Sequence, residues 1–228
     1  MKAKRLKVLI LTTHVSFADL VLGLQKLPFN EQSRVGLEFV EISETRAVFR
    51  YHEQRAYTQS FVNPLGETIE SSYSLYINFE MSVEDIGGDR FSISISAPPK
   101  DLKPFVDLLR TATSSTFALE VVKPDIMAFY DQLKSNRSLT RVMAKRIVSG
   151  SINFDIESSY RVDIASTANA MTKLLEITGG RAAPIDKIKI AYQYDHTPVS
   201  VELSRSGSIA VVVDDEEHLQ YIIGLLIR

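Results

Sequence analysis

The chain has 228 residues, 45% of them hydrophobic and 24% charged, with a net charge of −2 at pH 7. Such values belong to a folded globular chain rather than a disordered one, and they provide no global attraction to nucleic acid or anionic membrane, so any such attraction has to be local. The absence of cysteine excludes a disulfide framework, cysteine-ligated zinc, iron–sulfur clusters and a thiol nucleophile, and it fits a reducing compartment.

The first residues, MKAKRLKVLILTTHV, are basic and then apolar, as in a secretory signal. The apolar run stops at Thr12-Thr13-His14, and no small-residue cleavage site follows. No segment has the length needed to span a bilayer. The expectation is a cytoplasmic protein with no membrane association.

The first of four strand-turn-helix units follows. VLILTTHVSFADLVLGLQKL places Phe17, Leu20, Val21, Leu24 and Leu27 on one helical face, with Ser16 as a cap. Next, Tyr73, Leu75, Ile77, Phe79 and Met81 alternate with Ser74, Tyr76, Asn78 and Glu80, the pattern of a strand covered on one side. FSISISAPPKDLKPFVDLLR repeats the unit with Leu102, Phe105, Val106 and Leu109. TATSST, residues 111–116, is the most linker-like stretch. It divides the chain into expected halves 1–114 and 115–228, or sits within a single domain.

Beyond it, Pro124 to Lys134 forms a helix with Ile126, Phe129, Tyr130 and Leu133 on one face, and a strand should carry Val148, Gly150, Ile152, Phe154 and Ile156 on one side. The third unit, YRVDIASTANAMTKLLEITGG, has the stripe Ala170, Met171, Leu174 and Leu175, a cap at Ser166 or Thr167, and a stop at Gly179-Gly180. Ile188, Ile190, Tyr192 and Tyr194 alternate with Lys187, Lys189, Ala191 and Gln193, and Val199, Val201 and Leu203 answer them across the turn at 195–198. The fourth unit ends on a helix with Leu219, Ile222, Ile223 and Leu226 on its main face. The expected fold is α+β: antiparallel sheets built from hairpins, with about five helices packed on one face.

Catalytic signatures are missing. There is no Walker loop, no G-x-G-x-x-G and no G-x-S-x-G elbow, and His14, His52, His196 and His218 form no metal-ligand pair. The acids Asp214 to Glu217 open a helix, where they complement its dipole. No catalytic residue, metal or cofactor is expected. An enzyme would need a site assembled by the fold from His14, His196 or the acids at 214–217.

One stretch stands apart. From Gln132 to Phe154 there is no acid, while Lys134, Arg137, Arg141, Lys145 and Arg146 are basic and Ser135, Asn136, Ser138 and Thr140 lie among them. Those are phosphate-contacting residue types. Lys and Arg at a helix end or on an edge strand also have purely structural uses. The last helix shows Tyr221, Leu225 and Ile227 besides its main face, so it is apolar nearly all round and suited to a homo-oligomer contact.

RIVSGSINFDIESSYRVDIASTANAMTKLLEITGG, followed by IKIAYQYDHTPVSVELSRSGSIAV, resembles the later part of RexA-like phage exclusion proteins. The resemblance covers about residues 115–213 and lies in element order and apolar pattern. It implies a DNA-binding, dimeric, non-enzymatic protein of phage defence, with the basic positions above as its patch. The first functional expectation is therefore a DNA- or RNA-binding protein using Lys134, Arg137, Arg141, Lys145 and Arg146, within an anti-phage or mobile-element system. The alternative is a protein-interaction or scaffold subunit of a larger complex.

Overall fold

The computed structural model describes residues 3–114, 116–153, 158–181 and 183–227. In chain order the first elements are β1 (Lys4–Thr12), α1 (Phe17–Gln25), β2 (Val35–Ile42), β3 (Arg46–Val62), β4 (Thr68–Asp85), β5 (Arg90–Ser96) and α2 (Lys103–Thr113). There follow β6 (Ala118–Val121), α3 (Ile126–Ser135), β7 (Leu139–Ser149), β8 (Ile152–Asn153), β9 (Ser159–Tyr160), β10 (Asp163–Ala165) and α4 (Ala170–Ile177). The chain closes on β11 (Ile185–Tyr194), β12 (Thr197–Ser204), β13 (Ile209–Val212) and α5 (Glu216–Ile227). The α+β class and the antiparallel hairpins expected from the sequence are what the structure has.

Contacts divide the chain into two compact units, Leu9–Glu120 and Met1–Val8 with Val121–Arg228. Of the linker-like stretch, Thr111, Ala112 and Thr113 are the last residues of α2. Both units follow one chain order: a strand, a helix, four antiparallel strands in a meander, and a helix. In the first unit the meander is β2-β3-β4-β5 between α1 and α2. In the second it is β7-β11-β12-β13 between α3 and α5, with β8, β9, β10 and α4 inserted after β7.

Alternation along each strand decides which face is covered. In Leu9–Glu120, Phe49, Tyr51, Phe79, Met81, Ile93 and Ile95 point to one side and are buried with Leu20 and Leu24 of α1 and Phe105 and Leu109 of α2. The two helices touch closely. A Cβ on Gly23 would lie 2.3 Å from the carbonyl oxygen of Ala112, so only glycine permits this crossing. In the second unit Ile147, Ile188, Ile190, Val201, Leu203 and Val211 are buried beneath α3, α4 and α5. The helix caps are local: Ser16, Asp125 and Asn169 accept hydrogen bonds from the first-turn amides of α1, α3 and α4. Asn169 takes the place expected for Ser166 or Thr167, and Leu175 of the expected stripe is half exposed.

The strand expected to present Val148, Gly150, Ile152, Phe154 and Ile156 on one face differs. β7 ends at Ser149, and it is Ile147 and Ala144 that enter the core, while Val148 pairs with Lys187 on the other face. Phe154 and Ile156 fall outside the described residues.

Candidate nucleic-acid interface

Two irregularities in β7 scatter the basic stretch. Against β11, Arg146 pairs with Lys189 but Ala144 pairs with Ile190, so Lys145 is an extra residue. Between Met143 and Thr140 the register shifts again, at Arg141, whose φ is 55°. Such bulges re-aim the side chains on either side of them. The amide of Ala144 donates instead to Asn169 Oδ1 at 3.3 Å, and Lys145 Nζ donates to the carbonyl of Thr167 at 2.6 Å. Asn169 thus caps α4 and holds the bulge at once.

The five basic residues therefore do not form one patch. Lys134 lies in the last turn of α3, 5.7 Å from the ring of Tyr130, and Arg137 stands exposed in the turn that follows. Arg141 is exposed at its bulge. Lys145 is tied to the loop before α4. Arg146 reaches the face of the sheet opposite the helices, where Nε and Nη2 donate to the two carboxylate oxygens of Asp163 at 2.9 and 2.6 Å. The hydrogen bond from Arg146 holds the Asp163 carboxyl below the usual carboxylate range.

That helix-free face does gather cations, though not the set the sequence suggested. Register places Lys189 beside Arg146 on β7 and beside Glu202 on β12, with Lys187 two residues away and bonded to Glu202 at 2.6 Å. Glu202 pairs with Ala210 of β13, which pairs with Arg5 of β1. Lys7 lies two residues beyond, alternating with buried Leu6 and Val8. The face thus carries Arg5, Lys7, Arg146, Lys187 and Lys189 against Asp163 and Glu202. Among the described residues Arg5, Lys7 and Lys189 have no ion-pair partner. The same face carries Ala191, Ser200, Ser204 and Ala210, with Met143, Val148 and Val212 beside them. Lys187 and Lys189 were readable as one face of an alternating strand. Arg5 and Lys7 carry the same signal, basic residues alternating with Leu6 and Val8, but only the pairing of β1 with β13 brings them here.

The remaining candidates resolve locally. His14 Nδ1 is 3.1 Å from Asp89 Oδ2 at an exposed position, and His196 occupies the turn between β11 and β12 with φ 63°. Asp215 caps α5 by accepting from the amides of Glu217 and His218. Among the described residues no group of three or more His, Asp or Glu side chains is placed to hold a metal, and no helix is long and apolar enough to cross a membrane.

Tyr221, Leu225 and Ile227 of α5 are half-buried and pack against the core of their own unit, and Tyr221 Oη accepts from Asn136 Nδ2 at 2.7 Å. His218, on the same helix, is buried. Its Nε2 lies 2.8 Å from Tyr192 Oη and its ring stacks on Tyr194 at 4.0 Å. Burial pushes its pKa down. The sequence matches no family model and no curated protein.

Proposed function

We propose that the chain is a non-enzymatic nucleic-acid-binding protein whose contact surface is the helix-free face of the β10-β7-β11-β12-β13-β1 sheet. The observation that carries this reading is the concentration of Arg5, Lys7, Arg146, Lys187 and Lys189 on a face that carries, among the described residues, the two acids Asp163 and Glu202. Phosphates are contacted by such groups without sequence readout. Among the described residues the face carries no aromatic residue on which an unstacked base could lie, so a duplex backbone fits it better than a single strand. Lys134, Arg137 and Arg141 become auxiliary charges at one end of β7. The resemblance to RexA-like phage exclusion proteins supports the same reading, with action in phage defence or a mobile element, in the cytoplasm, as a homo-oligomer.

The test is binding of a labelled DNA duplex and a single-stranded RNA across a salt series. Neutralising three to five phosphates gives a log–log slope of about −3 to −4.5 on the duplex. A flat salt dependence, or no binding at low salt, contradicts the proposal. The alternative, a protein-interaction subunit, is favoured by a different observation: the apolar hairpin described next.

A further inference from the structure

β3 and β4 are the longest strands, at 17 and 18 residues. Their neighbours are shorter. β2 pairs with β3 only as far as Glu53, and β5 pairs with β4 only as far as Met81. Beyond these points, apart from Gln54 N donating to the Arg34 carbonyl at 2.8 Å, the described residues 54–62 and 68–76 pair with each other, from Gln54–Tyr76 to Val62–Thr68. Nine residues per strand extend this ribbon about 30 Å.

The ribbon has two unlike faces. One carries the cross-strand pairs Arg55–Leu75, Tyr57–Tyr73, Gln59–Ser71 and Phe61–Ile69. This face continues the buried pair Tyr51–Phe79, so it lies on the side that α1 and α2 cover further back. The other carries Gln54–Tyr76, Ala56–Ser74, Thr58–Ser72, Ser60–Glu70 and Val62–Thr68, polar along its middle with Tyr76 and Val62 at its ends. Tyr57, Phe61, Ile69, Tyr73 and Leu75 are 40, 47, 40, 54 and 48% exposed. Tyr57 and Tyr73 already stack with ring centres 5.6 Å apart. A two-stranded ribbon is marginal by itself in water, and an apolar face makes it more so.

We infer that a second copy of this chain covers this face, the two ribbons packing face to face and antiparallel about a two-fold axis at Gln59–Ser71. The order of pairs along the face supports that occupant. Reversing one ribbon about its midpoint sets Tyr57–Tyr73 against Phe61–Ile69 and the polar pair Gln59–Ser71 against itself. The pairs from Tyr57–Tyr73 to Phe61–Ile69 contain no charge, so two copies meet without like-charge repulsion. The area agrees. With aromatic side chains of about 150–250 Å² each, the face exposes on the order of 450 Å² of apolar surface. Two such faces bury about 900 Å², the size of a weak, reversible contact. The expected product is a reversible dimer of micromolar affinity. This interface differs from Tyr221, Leu225 and Ile227 of α5 and is independent of the nucleic-acid reading.

The experiment is sedimentation velocity of the full chain from low micromolar to several hundred micromolar, beside a Tyr57→Ser, Phe61→Thr, Ile69→Thr, Tyr73→Ser variant. All four positions are exposed, and a thermal melt of each protein checks that the fold is kept. The wild type should dimerise with concentration, and the variant should weaken the dimer by about 100-fold or more. Because the chain has no cysteine, Gln59→Cys and Thr58→Cys each introduce a single thiol. Sheets packed face to face lie about 10 Å apart, so a bis-maleimide of about that reach should link Gln59→Cys into a dimer and leave Thr58→Cys, on the other face, unlinked. A wild type that stays monomeric overturns the inference. So does an undiminished dimer in the four-site variant, or equal linking at residues 58 and 59.

Discussion

On the face of Leu9–Glu120 that alternates with its core, Arg50 and His52 share one acid where they stand. Glu38 lies 3.2 Å from Arg50 Nη1 and 3.1 Å from His52 Nε2, His52 Nδ1 meets Asn78 Oδ1 at 2.8 Å, and the hydroxyls of Ser82 and Ser94 are 2.7 Å apart. On the corresponding face of the other unit, Lys187 and Arg146 have acids but Arg5, Lys7 and Lys189 do not. The two sheets share a meander and a one-sided cover of helices. They differ in that Arg50 and His52 of the first stand beside Glu38, whereas Arg5, Lys7 and Lys189 of the second, among the described residues, have no acid. A chain with net charge −2 can therefore present a locally positive surface.

The largest expected effect breaks this difference. Replacing Arg5, Arg146, Lys187 and Lys189 together by Ala should weaken duplex binding by about 100-fold or more at moderate salt and make the salt slope shallower by about 3. Arg50→Ala, beside Glu38, should change binding by less than about 2-fold. Fluorescence anisotropy of a labelled duplex measures both.

Asn169→Ala comes next. The side chain accepts from Met171 N and Ala144 N and donates to Tyr130 Oη, so its loss uncaps α4 and strips the bulge amide of its acceptor. The expected cost is about 2 kcal/mol by denaturant unfolding, with weaker duplex binding as Arg146 loses its fixed direction.

Asp163→Asn sharpens the comparison in the opposite sense. It removes the carboxylate that occupies Arg146, and duplex affinity should rise several-fold, because a charge-assisted pair no longer competes with phosphate.

The smallest effect is a pH dependence. His218 has a pKa lowered by burial, so the unfolded chain binds its proton first. Stability is full above the unfolded value near 6.5 and declines as pH falls below it toward the depressed folded value. His218→Gln should flatten that part of the curve. Glu38, lowered chiefly by its hydrogen bond from His52, has its own window. Its contribution is present above the ordinary carboxylate range and is lost as pH falls through its depressed value, a change that Glu38→Gln removes. Thermal melts between pH 3 and 8 separate the two.

Much of the fold was legible because alternation and helical stripes are local. Tyr192, Ile190 and Ile188 on β11, and Leu219, Ile222 and Ile223 on α5, enter the core their spacing predicts. Alternation is silent on what covers a strand. Tyr73 and Leu75 follow the same pattern as Phe79 and Met81, yet the first two stand half exposed and the last two are buried. Bulges are equally hidden, since one extra residue at Lys145 moves Val148 to the open face without any mark in composition. The candidate site was legible only in part. Arg146 lies on it, but Lys145 is tied to the carbonyl of Thr167, and Arg5 and Lys7 arrive from the far end of the chain through strand pairing.

Duplex affinity at fixed low salt, for the wild type, for Arg5, Arg146, Lys187, Lys189→Ala and for Lys134, Arg137, Arg141→Ala, decides whether the sheet face is the contact surface. The first variant should nearly abolish binding, while the second, changed only at the periphery, should lose about 10-fold or less. Equal binding by the wild type and the first variant, or a greater loss in the second, would contradict the open sheet face as the contact surface.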